Sequence, residues 1–62
     1  MYSNLRRIRK AQRLTCDYMA KHLGYANRSV YNKKERGLIP IRIDEAIKIS
    51  KLLKVKIEDI FL

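Results

Sequence analysis

The chain is poor in the residues that staple or interrupt a small fold: one cysteine, one proline, two glycines and no tryptophan among 62 residues. A lone Cys16 excludes an internal disulfide, and no set of Cys and His has the spacing of metal ligands. Stability must then come from efficient packing of regular structure. Acidic residues are also scarce, six against fifteen Lys and Arg, for a net charge of +9. No apolar run is long enough to span a bilayer and no signal-peptide pattern is present, so the default location is cytoplasmic. A carboxylate pair, a Cys–His pair, a phosphate loop and a metal set are all missing, so neither enzymatic chemistry, a cofactor nor a small-molecule ligand is expected.

What is present suits a globular domain. The composition is 47% hydrophobic, which is not that of a disordered chain. The length fits a single domain over residues 1–62, with little room for a fully enclosed cleft. Charge is distributed unevenly. Residues 1–36 carry ten Lys or Arg against Asp17 and Glu35, a net of +8, whereas residues 37–62 carry a net of +1. That asymmetry favours one face turned toward a polyanion over general solubility, although charge alone does not separate nucleic acid from acidic lipid.

The periodicity predicts five short helices and no sheet. Helix 1 starts after Ser3 or Asn4 and runs to about Gln12, with Leu5, Ile8, Ala11 and Gln12 on its core stripe and Arg6, Arg7, Lys10 and Arg13 off it. Helix 2 runs from Thr15, its cap, to about Leu23, with Met19, Ala20 and Leu23 inward and Gly24 as the stop. Helix 3 follows Asn27 as cap and closes at Gly37. At roughly 100° per residue, Arg28, Ser29, Asn32, Lys33 and Arg36 share a sector of about 140°, with Tyr31 and Lys34 on the other side. Leu38-Ile39-Pro40-Ile41 reads as a loop, because Pro40 cannot continue a helix. Helix 4 covers about Ile43 to Leu53, with Ile43, Ala46, Ile47, Ser50 and Leu53 at core spacing. A last helix, about Ile57 to Phe61, buries Ile57, Ile60 and Phe61.

Two short helices joined at a glycine, the second bearing exposed Arg, Ser, Asn and Lys in a strongly basic chain, point to a helix-turn-helix over about residues 15–36. The order of elements resembles the Cro and lambda-repressor type of helix-turn-helix proteins, the XRE family. The resemblance runs from about Leu5 to Phe61. It rests on Ile8-Arg9, on Thr15 to Gly24, and on Asn27 to Gly37 with its closing Glu35-Arg36-Gly37. Pro40, Ile43 to Leu53 and Ile57-Glu58-Asp59-Ile60-Phe61 complete it. It implies an all-α, compact five-helix DNA-binding fold. It further implies a partly buried ion pair of Arg9 with Glu35, and a small two-fold interface from the loop and the helix 4–5 region.

Three departures from the family pattern stand out. The turn before Tyr31 is one residue longer, with Ala26 the extra one, which places Asn27 at the cap. Cys16 stands where the family often has Gln, leaving a weaker side-chain donor. Lys34 occupies a commonly apolar position, so its methylene stem is expected on the core with the ammonium reaching out to solvent.

Candidate base contacts are Arg28, which can fork onto guanine, Asn32, which can pair with adenine, and Ser29 and Lys33. Candidate phosphate contacts are Thr15, Cys16, Asn27, Arg36 and Arg42. The apolar Leu38, Ile39, Pro40 and Ile41 are a candidate dimer contact, so the expected partners are operator DNA and a second copy in a weak homodimer formed on it. The leading reading is a Cro-type repressor. An alternative is the antitoxin of a toxin–antitoxin pair, binding DNA and a protein toxin. From another class, the Arg-rich start can be read as an RNA- or membrane-binding helix on a scaffold. A redox role for Cys16 is the sharper but weaker reading of a small residue that the position tolerates.

Overall fold

A computed structural model describes residues 2–62, in which five helices follow one another. They are α1 (Ser3–Ala11), α2 (Cys16–Leu23), α3 (Arg28–Glu35), α4 (Ile43–Leu53) and α5 (Ile57–Phe61). No strand occurs among the described residues. Local chemistry sets the boundaries of the central pair. The Tyr18 amide donates to Thr15 Oγ1 at 3.0 Å, and the Val30 amide donates to Asn27 Oδ1 at 3.1 Å. Each cap satisfies an N–H that the first turn leaves without a helical partner. Gly24 ends α2 at φ +81°, a left-handed conformation that glycine adopts without a Cβ penalty. Ala26 is accommodated in the turn, and Arg28 and Ser29 are the first residues of α3.

The core gathers Leu5, Met19, Ala20, Leu23, Tyr31, Ile49, Leu53 and Ile60 from all five helices. Helix α2 packs on α3, and α1 lies against α5, where the Tyr2 and Phe61 rings meet edge to face at 5.4 Å. Gln12 reaches from the end of α1 to α4, its amide donating to the Leu53 carbonyl at 2.8 Å.

Three inward faces differ from the periodicity reading. In α1 the buried pair is Leu5 and Arg9, Ile8 is half-buried and Ala11 is exposed, because Arg9 finds a buried carboxylate partner. In α4 the buried residues are Ala46, Ile49 and Leu53, while Ile43 is 73% and Ile47 40% exposed. Apolar residues spread over more than half of that helix's circumference, so spacing alone did not single out a face. Its roll is set by Glu45, which is drawn to Tyr25 and Lys34 on the helix-turn-helix. In α5 only Ile60 is buried, with Ile57 and Phe61 partly covered.

Arg9 and Glu35 join α1 to the end of α3. Arg9 Nε donates to Glu35 Oε2 at 2.8 Å and Nη2 to Oε1 at 3.1 Å, while Nη1 reaches the Leu14 carbonyl at 2.7 Å. Tyr31 donates its hydroxyl proton to Glu35 Oε2 at 2.5 Å. The Glu35 hydrogen bond raises the Arg9 pKa above its ordinary value despite burial. Removing one partner strands the other charge. Arg9→Met or Glu35→Leu alone is expected to cost about 3–5 kcal/mol or unfold the chain, and the double variant distinctly less than the sum. Urea unfolding checks this; small, additive losses would show the pair to be idle.

Candidate nucleic-acid interface

The N-terminal ends of α2 and α3 open onto one shallow cleft. Arg9, Leu14, Thr15, Cys16 and Asp17 line one side, and Arg28, Ser29 and Asn32 line the other. This follows from the two caps, since Thr15 and Asn27 each start a helix whose first-turn N–H groups lack helical acceptors. Positive helix ends and Arg28 favour an anionic occupant, opposed locally by the Asp17 carboxylate.

The sequence-predicted residues divide between this cleft and its surroundings. Arg28, Ser29 and Asn32 come together with Thr15 and Cys16. Lys33 is exposed on the next turn of α3, while Arg36 caps the end of that helix and Arg42 the start of α4, both exposed. Asn27 lies outside the lining, its carbonyl oxygen engaged by Val30. Thr15 accepts from Tyr18 yet keeps its hydroxyl proton for a further acceptor. Cys16 touches the second helix directly, its Sγ accepting from Asn32 Nδ2 at 3.9 Å. His22 lies outside the cleft, its ring tilted 37° against that of Tyr18 with centres 4.1 Å apart.

A second cluster escaped the sequence reading. Lys34 does not reach into free solvent; its ammonium pairs with Glu45 and sits 5.0 Å from the Tyr25 ring centre. Tyr25 donates to Glu45 Oε1 at 2.9 Å, and the Arg42 amide donates to Oε2 at 2.7 Å. Tyr25 also stacks against Tyr31, with ring centres 6.4 Å apart. Glu45 thereby ties the turn, α3 and the start of α4 together. Burial and the Glu45 hydrogen bond both raise the Tyr25 pKa. Burial works against the Glu45 carboxylate, but Lys34, the Arg42 amide and Tyr25 outweigh it and hold its pKa below the ordinary value. The only available hint was that Lys34, a polar-tipped residue, stood at a commonly apolar position.

Away from the cleft, Tyr2, Ile41, Ile43, Ala46, Ile57, Phe61 and Leu62 line an apolar groove between the start of α1, α4 and α5. Of the candidate dimer loop, only Ile41 reaches it. Leu38 and Pro40 are exposed elsewhere, and Ile39 is half-buried. Leu62, 95% exposed, joins the groove as an apolar patch with the last helix, whereas Ile43, 73% exposed, was expected at core spacing instead.

The family model described as Helix-turn-helix matches residues 5–60, nearly the whole chain and both helices of the cleft. The chain belongs to the XRE-type helix-turn-helix family. It is accordingly a DNA-binding transcriptional regulator, with α2 and α3 as the helix-turn-helix. Neither the comparison with curated proteins nor that with solved structures gave a match. No helix among the described residues is long and apolar enough to cross a membrane.

The Glu45 cluster in this helix-turn-helix protein carries a pH signature. A carboxylate whose folded-state pKa lies below its unfolded value stabilises above the unfolded pKa, and that stability is lost as pH falls through the folded pKa. Glu45→Gln is expected to cost about 1–3 kcal/mol near pH 7, with the gap to the parent closing as the pH drops through the carboxylate range. Urea midpoints at several pH values measure it; a gap that ignores pH would rule out a role for the charge.

Proposed function

We propose that the protein is a sequence-specific regulator of the Cro type, which represses by covering operator DNA with α3 in the major groove. The observation that carries this reading is the cleft lined by exposed Arg28 and Ser29 and half-buried Asn32 beside the capped start of α2. The major groove, about 12 Å wide, admits a helix, and each base pair presents a distinct donor–acceptor pattern there. Arg28 can fork onto guanine O6 and N7, Asn32 can pair with adenine, Ser29 serves either partner type, and Lys33 reaches a guanine or the neighbouring backbone. Thr15, Cys16, Asn27, Arg36 and Arg42 surround these positions and supply backbone N–H groups and charge to phosphates.

The apolar groove beside Ile43 and Leu62 supports a weak homodimer on the DNA, with Ile41 at its edge. Leu38, Ile39 and Pro40 do not line the groove, so Ile41 is the loop residue that joins this contact. Two copies place their recognition helices one helical turn apart, about 34 Å, on a palindromic site. The same groove could seat a toxin, so the antitoxin reading differs only in the occupant: a stable one-to-one complex with the product of a neighbouring gene.

Selection from random duplexes, followed by binding of the chosen site, tests the proposal. A palindrome with one-turn spacing is expected. Arg28→Ala combined with Asn32→Ala should lower affinity for that site by about thirtyfold or more per bound copy, at about 1–3 kcal/mol for each bidentate contact, without changing helical content. An unchanged sequence preference in the double variant would contradict the assignment of α3.

A further inference from the structure

The first sixteen residues contain no acid, yet α1 and the turn after it carry Arg6, Arg7, Arg9, Lys10 and Arg13. Arg9 is buried on Glu35, whereas the other four are exposed. Among the described residues the ion pairs are Arg9–Glu35 and Lys34–Glu45, so these four cations have no carboxylate partner. Arg6 and Lys10 are four apart on the helix, a like-charge spacing that disfavours the helix in the absence of an anion. Glu58 and Asp59 lie on α5, which packs against α1, but neither is paired with the row.

The helix geometry sorts the four. Taking roughly 100° per residue, Leu5 and Gln12 fall about 40° and 60° to one side of Arg9, toward the core, and Arg6 and Lys10 about 60° and 100° to the other. Arg9 itself borders the cleft between α2 and α3. Arg13, left-handed at φ +59°, leads directly into Leu14 and Thr15, which line that cleft. Arg7 falls about 160° from Arg9, on the far side of the helix. Three of the four cations thus continue the cleft's rim along α1, and the fourth does not.

We propose that Arg6, Lys10 and Arg13 form a phosphate track that follows the duplex backbone beyond the base pairs facing α3. This rests on the DNA-reading function proposed above and adds a second contact surface to it. From Arg6 to Lys10 the row rises about 6 Å at 1.5 Å per residue, and Arg13 follows in the turn after the helix. Along one strand of a duplex successive phosphates advance about 3.4 Å of its axis, so the row can follow neighbouring phosphates of a single strand. Such contacts hold register and affinity without reading bases.

Salt dependence tests the track. The probe is the duplex that the wild-type protein selects from a random pool, titrated between 50 and 200 mM salt with Arg6→Ala, Lys10→Ala, their double variant and Arg7→Ala. Circular dichroism verifies that each remains folded. Each track variant is expected to lower the salt slope by about 0.9 per bound copy and the double by about 1.8 per bound copy, with the preferred sequence unchanged. For each bound copy, wild-type affinity then falls roughly twelvefold further across that range than affinity of the double variant. Arg7→Ala should leave the slope at the wild-type value. Equal losses for Arg7 and the track residues would overturn the proposal in favour of a diffuse charge field. So would an unchanged slope, or variants that spare duplex binding and lose only binding to phosphatidylserine vesicles. Failure of the wild type to select any sequence would instead overturn the DNA-reading function on which the track rests.

Discussion

The buried meeting of Arg9 with Glu35 is the constraint on which the rest of the structure depends. Its guanidinium bridges three places at once: α1, the end of α3, and the Leu14 carbonyl just before α2. Tyr31 adds a hydroxyl to the same carboxylate, and the Tyr2 amide donates to the Glu35 carbonyl at 3.0 Å. A buried charge is tolerated only when its donors and acceptors are matched. No buried side-chain polar atom among the described residues lacks a partner. The geometry therefore admits few rolls of α3 about its axis. With Tyr31 and Glu35 held inward, Arg28, Ser29 and half-buried Asn32 are left to line the cleft beside α2.

Glu45 plays the matching part on the other side of α3. It gathers Tyr25, Lys34 and the Arg42 amide, and so joins the helix-turn-helix to the start of α4. The two polar knots hold both flanks of α3 while its outer face makes few contacts. The surface offered to a groove is rigid because its opposite side is anchored. Polar anchors also compensate for what a chain of 62 residues lacks in apolar core.

Much of this was legible in the sequence because it is written in local chemistry. Thr15, Gly24, Asn27 and Gly37 mark helix ends through caps and left-handed turns, which depend on neighbours within a few positions. The Arg9–Glu35 pair was legible only through the family resemblance, since nothing in spacing links residues so far apart. The inward face of α4 was not legible. With Ile43, Ile47 and Ile49 all available, the face that enters the core is the one compatible with Glu45 meeting Tyr25 and Lys34, a long-range pairing. The same reason hid the fate of Lys34, whose ammonium is held by a residue eleven positions away. At the candidate site, Arg28, Ser29 and Asn32 were legible from the helical sector. The contact of Asn32 with Cys16 and the retreat of Leu38 and Pro40 from the apolar groove depend on packing between elements.

The central claim is that the outer face of α3, flanked by the start of α2, is where duplex DNA sits. Backbone amide shifts followed by NMR as a selected duplex is added test it most directly. The account predicts the largest changes at Thr15 to Asp17 and at Arg28, Ser29 and Asn32, with Glu58 to Phe61 little affected by the duplex itself. Changes centred on α5 and the apolar groove, with Arg28 to Asn32 undisturbed, would contradict it.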